Sequence, residues 1–209
     1  MATRLLPVDP SAPSEDTLAE ATRALRAGGI VALPTETFYG LAADPFLPGT
    51  LAAVNRLKGK DATSPILLLL ADLAQALPLM AATPAAFPSL AALWPAPLTL
   101  VVPASAAVPP EVSGGRGTVG FRVPALALPR LLAARLGGPV TGVSANRTGE
   151  APPRRAAEVQ EAFPEGLALI LDGGDTVGEA PSTLVDLTGS PPRLLREGAL
   201  PWAVLRDRL

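Results

Sequence analysis

Short apolar runs alternating with amphipathic segments constrain this chain more than any other feature of its sequence. "IVALP" at 30–34, "ILLLL" at 66–70, "PLTLVVP" at 97–103 and "TVGFRV" at 118–123 are too short for ordinary buried helices and are bounded by Gly, Pro or polar residues, as strands are. Helical patterns lie between them. "SEDTLAEATRALRAGG" places Leu18, Ala21 and Leu25 at helical spacing, offers Ser14 as an N-cap and stops at Gly28 and Gly29. "TLAAVNRLKG" reads as a helix closed by Gly59, Thr83 and Pro84 as the N-cap and first position of a helix through Leu93, and "PALALPRLLAARLGG" as a further helix. "PVTGVSAN" reads as a strand running into a turn and "RAAEVQEAF" as a helix. "LALILDGG", "STLVDLT" and "PRLLRE" read as strands and "WAVLRDRL" as a terminal helix. This order predicts an α/β layered fold. Late strands that follow one another without a helix between them make the sheet mixed.

A chain of 209 residues, 48% hydrophobic and without an internal repeat or linker, is expected to be one domain over 1–209. No charge occurs between Asp72 and Glu111, so this stretch is tested as a membrane span. It fails, because eight prolines from Pro78 to Pro110 cut it into pieces too short to cross a bilayer. "MATRLLPVDPSAPSED" has no long apolar segment, so a secretory leader is not expected. Cysteine and histidine are both absent, which excludes disulfides, thiol nucleophiles, imidazole or thiolate zinc sites and imidazole bases. The expectation is a soluble cytoplasmic protein that is not bound to a membrane. A formal charge of −2 argues against coating nucleic acid by bulk electrostatics and confines any such role to a local basic face.

Four stretches can carry chemistry. In "PTETFYG" a buried strand runs into Thr35, Glu36, Thr37 and Tyr39, where open α/β sheets place ligands, although the same residues suit a turn. In "TVGFRVP" alternation puts Val119, Phe121 and Val123 on one face and Thr118, Gly120 and Arg122 on the other. Arg122 there suits a carboxylate or phosphate, or a structural ion pair. "VSANRTG" offers short donors to an anion, or makes an ordinary turn. "RLKGKDATSP" holds the chain's two lysines, Lys58 and Lys60, at a helix end, where they suit mobile contacts to phosphate or simply complement the dipole. From Val112 to Arg155 seven arginines face the single acid Glu150, enough for a positive rim, with Arg130 and Arg135 expected on a helix.

"PTETFYGLAAD", "RLKGKDATSP", "LWPAPLTLVV", "GFRVP", "VSANRTGE" and "STLVDL" leading to "LLREG" together resemble the YrdC-like family of threonylcarbamoyl-AMP synthases, in the family's order and over nearly the whole chain. The resemblance implies a twisted mixed sheet flanked by helices around a concave, positively lined cleft. It implies that Thr35, Arg122, Gly142 and Ser182 hold L-threonine and that Lys58, Lys60, Thr118, Ser144, Asn146 and Arg196 surround ATP, with Lys58 and Lys60 as the catalytic cations. It implies that a carboxylate made from threonine's amine and bicarbonate attacks the α-phosphorus of ATP, with Mg2+ carried by the phosphates. The product, threonylcarbamoyl-AMP, passes to downstream threonylcarbamoyl-transferase proteins that modify tRNA.

Two departures stand out. Lys-x-Lys replaces the family's usual Lys-x-Arg, and the position after the strand "ILLLL" is apolar where the family often has a histidine. A chain ending soon after "LLREG" reads as the short form. Two other readings compete: a relative that binds structured or double-stranded RNA without making the adenylate, and an enzyme adenylating another carbamoyl donor.

Overall fold

The computed structural model describes residues 3–61 and 63–209; Met1, Ala2 and Ala62, which the single-domain reading of 1–209 includes, lie outside them. The expected α/β class is borne out, with the strands divided between two mixed sheets. Among the described residues, numbered in chain order, one sheet runs β1 (Arg4–Pro7), β9 (Leu169–Asp172), β2 (Val31–Pro34), β3 (Tyr39–Ala42), β8 (Val143–Ser144). The other runs β11 (Arg193–Arg196), β10 (Thr183–Asp186), β5 (Leu98–Pro103), β6 (Thr118–Arg122), β4 (Leu68–Leu69), β7 (Val140–Thr141). Parallel and antiparallel pairs alternate in the second sheet, from the antiparallel β11–β10 pair to the antiparallel β4–β7 pair.

Among the described residues seven α-helices accompany the sheets: α1 (Glu15–Arg26), α2 (Thr50–Lys58), α3 (Phe87–Ala91), α4 (Pro110–Ser113), α5 (Ala127–Leu136), α6 (Ala156–Ala162) and α7 (Trp202–Arg206). Ser14 caps α1 by accepting from Thr17 N–H, and Leu18 and Leu25 pack with Val31, Leu33, Leu128 and Leu132 in a layer of α1 and α5 on β2. The other face of β2, Ala32, joins Leu41, Leu68, Leu100 and Phe121 in a larger core that takes residues from both sheets. Strand β2 is therefore covered on both sides, which is why "IVALP" is continuously apolar. Phe87, Trp94 and Phe121 meet edge-on or tilted, with ring centroids 5.9–6.2 Å apart.

Two of the expected elements take a different form, and strands β1 and β3 and helix α4 form where none is expected from the sequence. The helix expected from Thr83 begins at Phe87, because Phe87 N–H closes a turn onto the Pro84 carbonyl at 2.9 Å and Pro88, lacking an N–H, fits the helix's first turn. "PVTGVSAN" is two short strands in different sheets. Val140–Thr141 pairs with β4, Val143–Ser144 pairs with β3, and Gly142 carries the chain from one sheet to the other. Thr141 stitches this crossing, its N–H donating to Ala43 O at 2.9 Å and its hydroxyl to Leu41 O at 2.8 Å. The crossing needs glycine: Gly142 N–H donates to Leu67 O at 2.7 Å, and a Cβ there would lie 2.5 Å from Leu69 Cγ.

Candidate active site

A cavity of about 1100 Å³ opens between the β2–β3 turn of one sheet and the polar face of the other. The alternation read in β6 holds: Val119 and Phe121 enter the core, while Thr118, Gly120 and Arg122 line this cavity. In register beside them stand Val101 of β5 and Asp186 of β10, so a strip of the second sheet forms the floor. All ten residues singled out from sequence as candidate ligand contacts border this one space, from Thr35 to Arg196. Its cations are Lys58, Lys60, Arg116, Arg122, Arg193 and Arg196, against the carboxylates Glu150 and Asp186. Only Arg116 and Arg122 of the seven arginines between Val112 and Arg155 contribute. Arg135 pairs with Glu15, Arg154 donates to Thr176 O, Arg155 pairs with Glu158 and Arg147 lies over the Phe163 ring. The positive rim is thus narrower than the sequence count implied, because most of these arginines brace the surface.

Lys58 is not the mobile point charge its position at a helix end suggests. Gly59 closes α2 in the left-handed conformation, and the Lys58 side chain turns inward, 4% exposed. Its Nζ donates to the backbone carbonyls of Ser144 and, at 2.7 Å, Asn146. Its own carbonyl accepts from Thr148 N–H at 2.9 Å and Thr148 Oγ1 at 3.0 Å. One lysine therefore pins the end of α2 to the 144–148 loop from both sides. Burial, helped by the charge of Lys60, pushes the Lys58 ammonium down from 10.5 to about 8. Lys60, half-buried, leaves the helix through its N–H bond to Asn55 O and reaches the cavity beside it. Asn146 donates its amide to Arg147 O and Glu150 O, both at 2.8 Å, which leaves its Oδ1 buried and without a donor.

The turn reading and the ligand reading of "PTETFYG" both describe Thr35. Its hydroxyl donates to Phe38 O at 2.8 Å and accepts from Thr37 N–H and Phe38 N–H, closing the turn into β3. The same oxygen accepts from Arg122 Nη2 at 3.4 Å, as does Thr37 Oγ1. Arg122 is 4% exposed and also faces Glu36, whose Oε1 lies 3.1 Å from Nη1. That contact is an ion pair without hydrogen-bond alignment, since Nε, Nη1 and both Glu36 oxygens lack a bonding partner among the described residues. Burial lowers the Arg122 pKa, with Glu36 opposing and Arg196 reinforcing the shift. Across the floor, Ser182 Oγ bonds Thr99 Oγ1 at 2.8 Å, and Arg196 donates to Ser182 O at 2.9 Å and to its hydroxyl at 3.4 Å.

Sequence reasoning passed over several lining residues. Thr37 lines the cavity beside Thr35, although the resemblance assigns it no ligand contact. Asp186 is held by Thr188 and Arg193, whose bonds outweigh burial and keep its pKa below the usual carboxylate range. Tyr39 has a structural role: its hydroxyl donates to Gly174 O at 2.8 Å and accepts from Gly173 N–H, and burial pushes it up to about 12. Among the described residues no group of three or more acidic, His or Cys side chains is placed to hold a metal ion. No described helix is long and apolar enough to cross a membrane.

The sequence profile of the Sua5/YciO/YrdC family, described as "Telomere recombination", matches residues 23–198. The threonylcarbamoyl-AMP synthase of Pyrococcus abyssi is 39% identical over 178 residues, 85% of this chain and 52% of that protein. That of Thiobacillus denitrificans is 39% identical over 164 residues, 78% of this chain and 87% of that protein. The crystal structure of P. abyssi Sua5 complexed with L-threonine superposes with a TM-score of 0.94 at 35% identity, covering 99% of this chain and 61% of that one. The chain thus spans about half the length of one curated relative and nearly all of the other.

Proposed function

Since the chain belongs to the Sua5/YciO/YrdC family, we propose that it is a threonylcarbamoyl-AMP synthase, joining L-threonine, bicarbonate and ATP to give threonylcarbamoyl-AMP, pyrophosphate and water. The observation that carries this is the convergence of all ten family-matched positions, from six separate stretches of sequence, on one cavity. Arg122, with Thr35, Ser182 and the Gly142 backbone around it, suits the carboxylate of threonine. Lys58, Lys60, Thr118, Ser144, Asn146 and Arg196 suit the nucleotide. The whole chain, 1–209, then acts as one YrdC-like domain in the cytoplasm, where ATP and tRNA are found, and hands its product to a threonylcarbamoyl-transferase.

In this reading the threonine carbamate attacks the α-phosphorus and pyrophosphate leaves, so negative charge collects on phosphate oxygens. The chain meets it with cations and backbone donors, which is chemistry a protein without histidine can perform. Alignment of the carbamate on the triphosphate can itself supply ~7–11 kcal/mol of the barrier in favourable cases. Among the described residues the cavity offers no cage for magnesium: the carboxylates lining it are Glu150 and Asp186, and Asp186 is already bonded to Thr188 and Arg193. The ion would arrive on the phosphates of ATP. Purified protein should release pyrophosphate only when ATP, L-threonine and bicarbonate are all present; release without threonine, or none at all, rejects the assignment.

A further inference from the structure

The turn between β2 and β3 carries one charged side chain that the ten family positions leave without a task. Glu36 places Oε1 3.1 Å from Arg122 Nη1, yet both carboxylate oxygens are sealed from solvent and receive no hydrogen bond. Arg122 is in the same condition: Nε and Nη1 are buried without an acceptor, and Nη2 reaches only the Thr35 and Thr37 hydroxyls at 3.4 Å. A buried carboxylate facing a buried guanidinium ordinarily takes at least one aligned, charge-assisted hydrogen bond from it. Here opposite charges are adjacent and neither is satisfied. The guanidinium and both neighbours of Glu36, Thr35 and Thr37, line the cavity, so a ligand in it comes to this pair.

A ligand that satisfied both groups would bring an anion for the unpaired Nη1 of the guanidinium and, a bond or two away, a cation with N–H donors for Glu36. That is the head of a zwitterionic α-amino acid. An acid without the amine would put two carboxylates on one buried guanidinium and leave a net negative charge out of water, which is costly. We propose that Glu36 receives the ammonium group of the amino-acid substrate and forms, with Arg122, a clamp selective for the zwitterion. The Glu36 side chain is 13% exposed, and because no hydrogen bond fixes its oxygens, an incoming carboxylate can take its place beside Nη1 without breaking one. Glu36 then pivots from the guanidinium to the ammonium.

This rests on the reading of the cavity as a threonine site, and the test separates the two. Isothermal titration compares L-threonine with 3-hydroxybutanoate, which keeps the carboxylate and hydroxyl and lacks the amine. The wild type should prefer threonine by roughly 10- to 100-fold, the value of a hydrogen-bonded charge. Glu36→Gln should weaken threonine by a similar factor while 3-hydroxybutanoate stays within about threefold or binds better, so that the preference disappears. Equal weakening of both ligands would mean that Glu36 only braces Arg122, and a preference that survives the substitution also overturns the clamp. If Glu36→Gln fails to fold, the wild type alone decides, since equal affinity for the two acids sinks the clamp and leaves the threonine reading standing. Failure to bind threonine at all removes both.

Discussion

Replacing Lys58 with methionine keeps the length and packing of the stem and removes the ammonium that pins α2 to the 144–148 loop. The Ser144 and Asn146 carbonyls then lose their donor. A buried acceptor left unsatisfied costs about 1–3 kcal/mol. Both residues border the cavity, so water can reach these oxygens, and relief of the buried charge acts in the opposite direction. The low end therefore applies, about 1 kcal/mol for each carbonyl and about 2 kcal/mol together. At roughly 2–4 °C per kcal/mol for a chain of this size, the Tm should fall by about 4–8 °C. Thr148 keeps its bonds to the residue 58 carbonyl, which argues against collapse of the whole loop. Differential scanning calorimetry measures the fall, and titration with ATP on the folded variant should show weaker binding, because the loop that presents Ser144 and Asn146 is loosened. A Tm within about 1 °C of the wild type would refute the pinning argument and return Lys58 to the role of a free phosphate contact.

Three further outcomes follow from the same geometry. Gly142→Ala drives a Cβ to 2.5 Å from Leu69 Cγ and should cost about 1–3 kcal/mol by overpacking; combined with Leu69→Ala, the double variant should unfold at least about 1 kcal/mol less easily than the sum of the two singles, and plain additivity would contradict the contact. Lys60→Arg should leave turnover intact and hold or lower the KM for ATP, since a guanidinium offers a bidentate fork where the ammonium offers a point charge; a collapse in turnover would show a pocket shaped around lysine. Lys58 is charged below about 8, so kcat/KM for ATP should fall as pH rises through that value. Lys60→Met, by removing the second cause of the depressed pKa, should move this limb to higher pH, and an unmoved limb would assign it to another group.

Much of the frame is legible in the sequence because local rules and packing agree there. Ser14 and Gly59 cap where expected, and the period of two in β6 separates Phe121 from Arg122. The failures fall where non-local contacts decide. The sequence pattern places no strand in "FYGLAAD", yet Tyr39–Ala42 pairs with β2 and becomes a fully buried strand. Gly142 interrupts what reads as one strand because two sheets compete for its neighbours. The inward turn of Lys58 depends on carbonyls 86 and 88 residues away, which no local pattern contains. The excess of arginines over Val112–Arg155 overstates the charge of the cavity, since ion pairing with Glu15 and Glu158 depends on tertiary proximity as well as spacing. Glu36 stands beside Thr35 in plain sight, but its significance lies in the lack of a bonding partner, which a sequence cannot display.

Mass spectrometry of the adenylate formed from carbon-13 bicarbonate tests the central claim most directly. Protein incubated with ATP, L-threonine and labelled bicarbonate should yield threonylcarbamoyl-AMP one mass unit heavier than the product from unlabelled bicarbonate. It should yield none when threonine is withheld. An adenylate that lacks the label, or one that forms without threonine, would contradict the assignment of this cavity to threonylcarbamoyl-AMP synthesis.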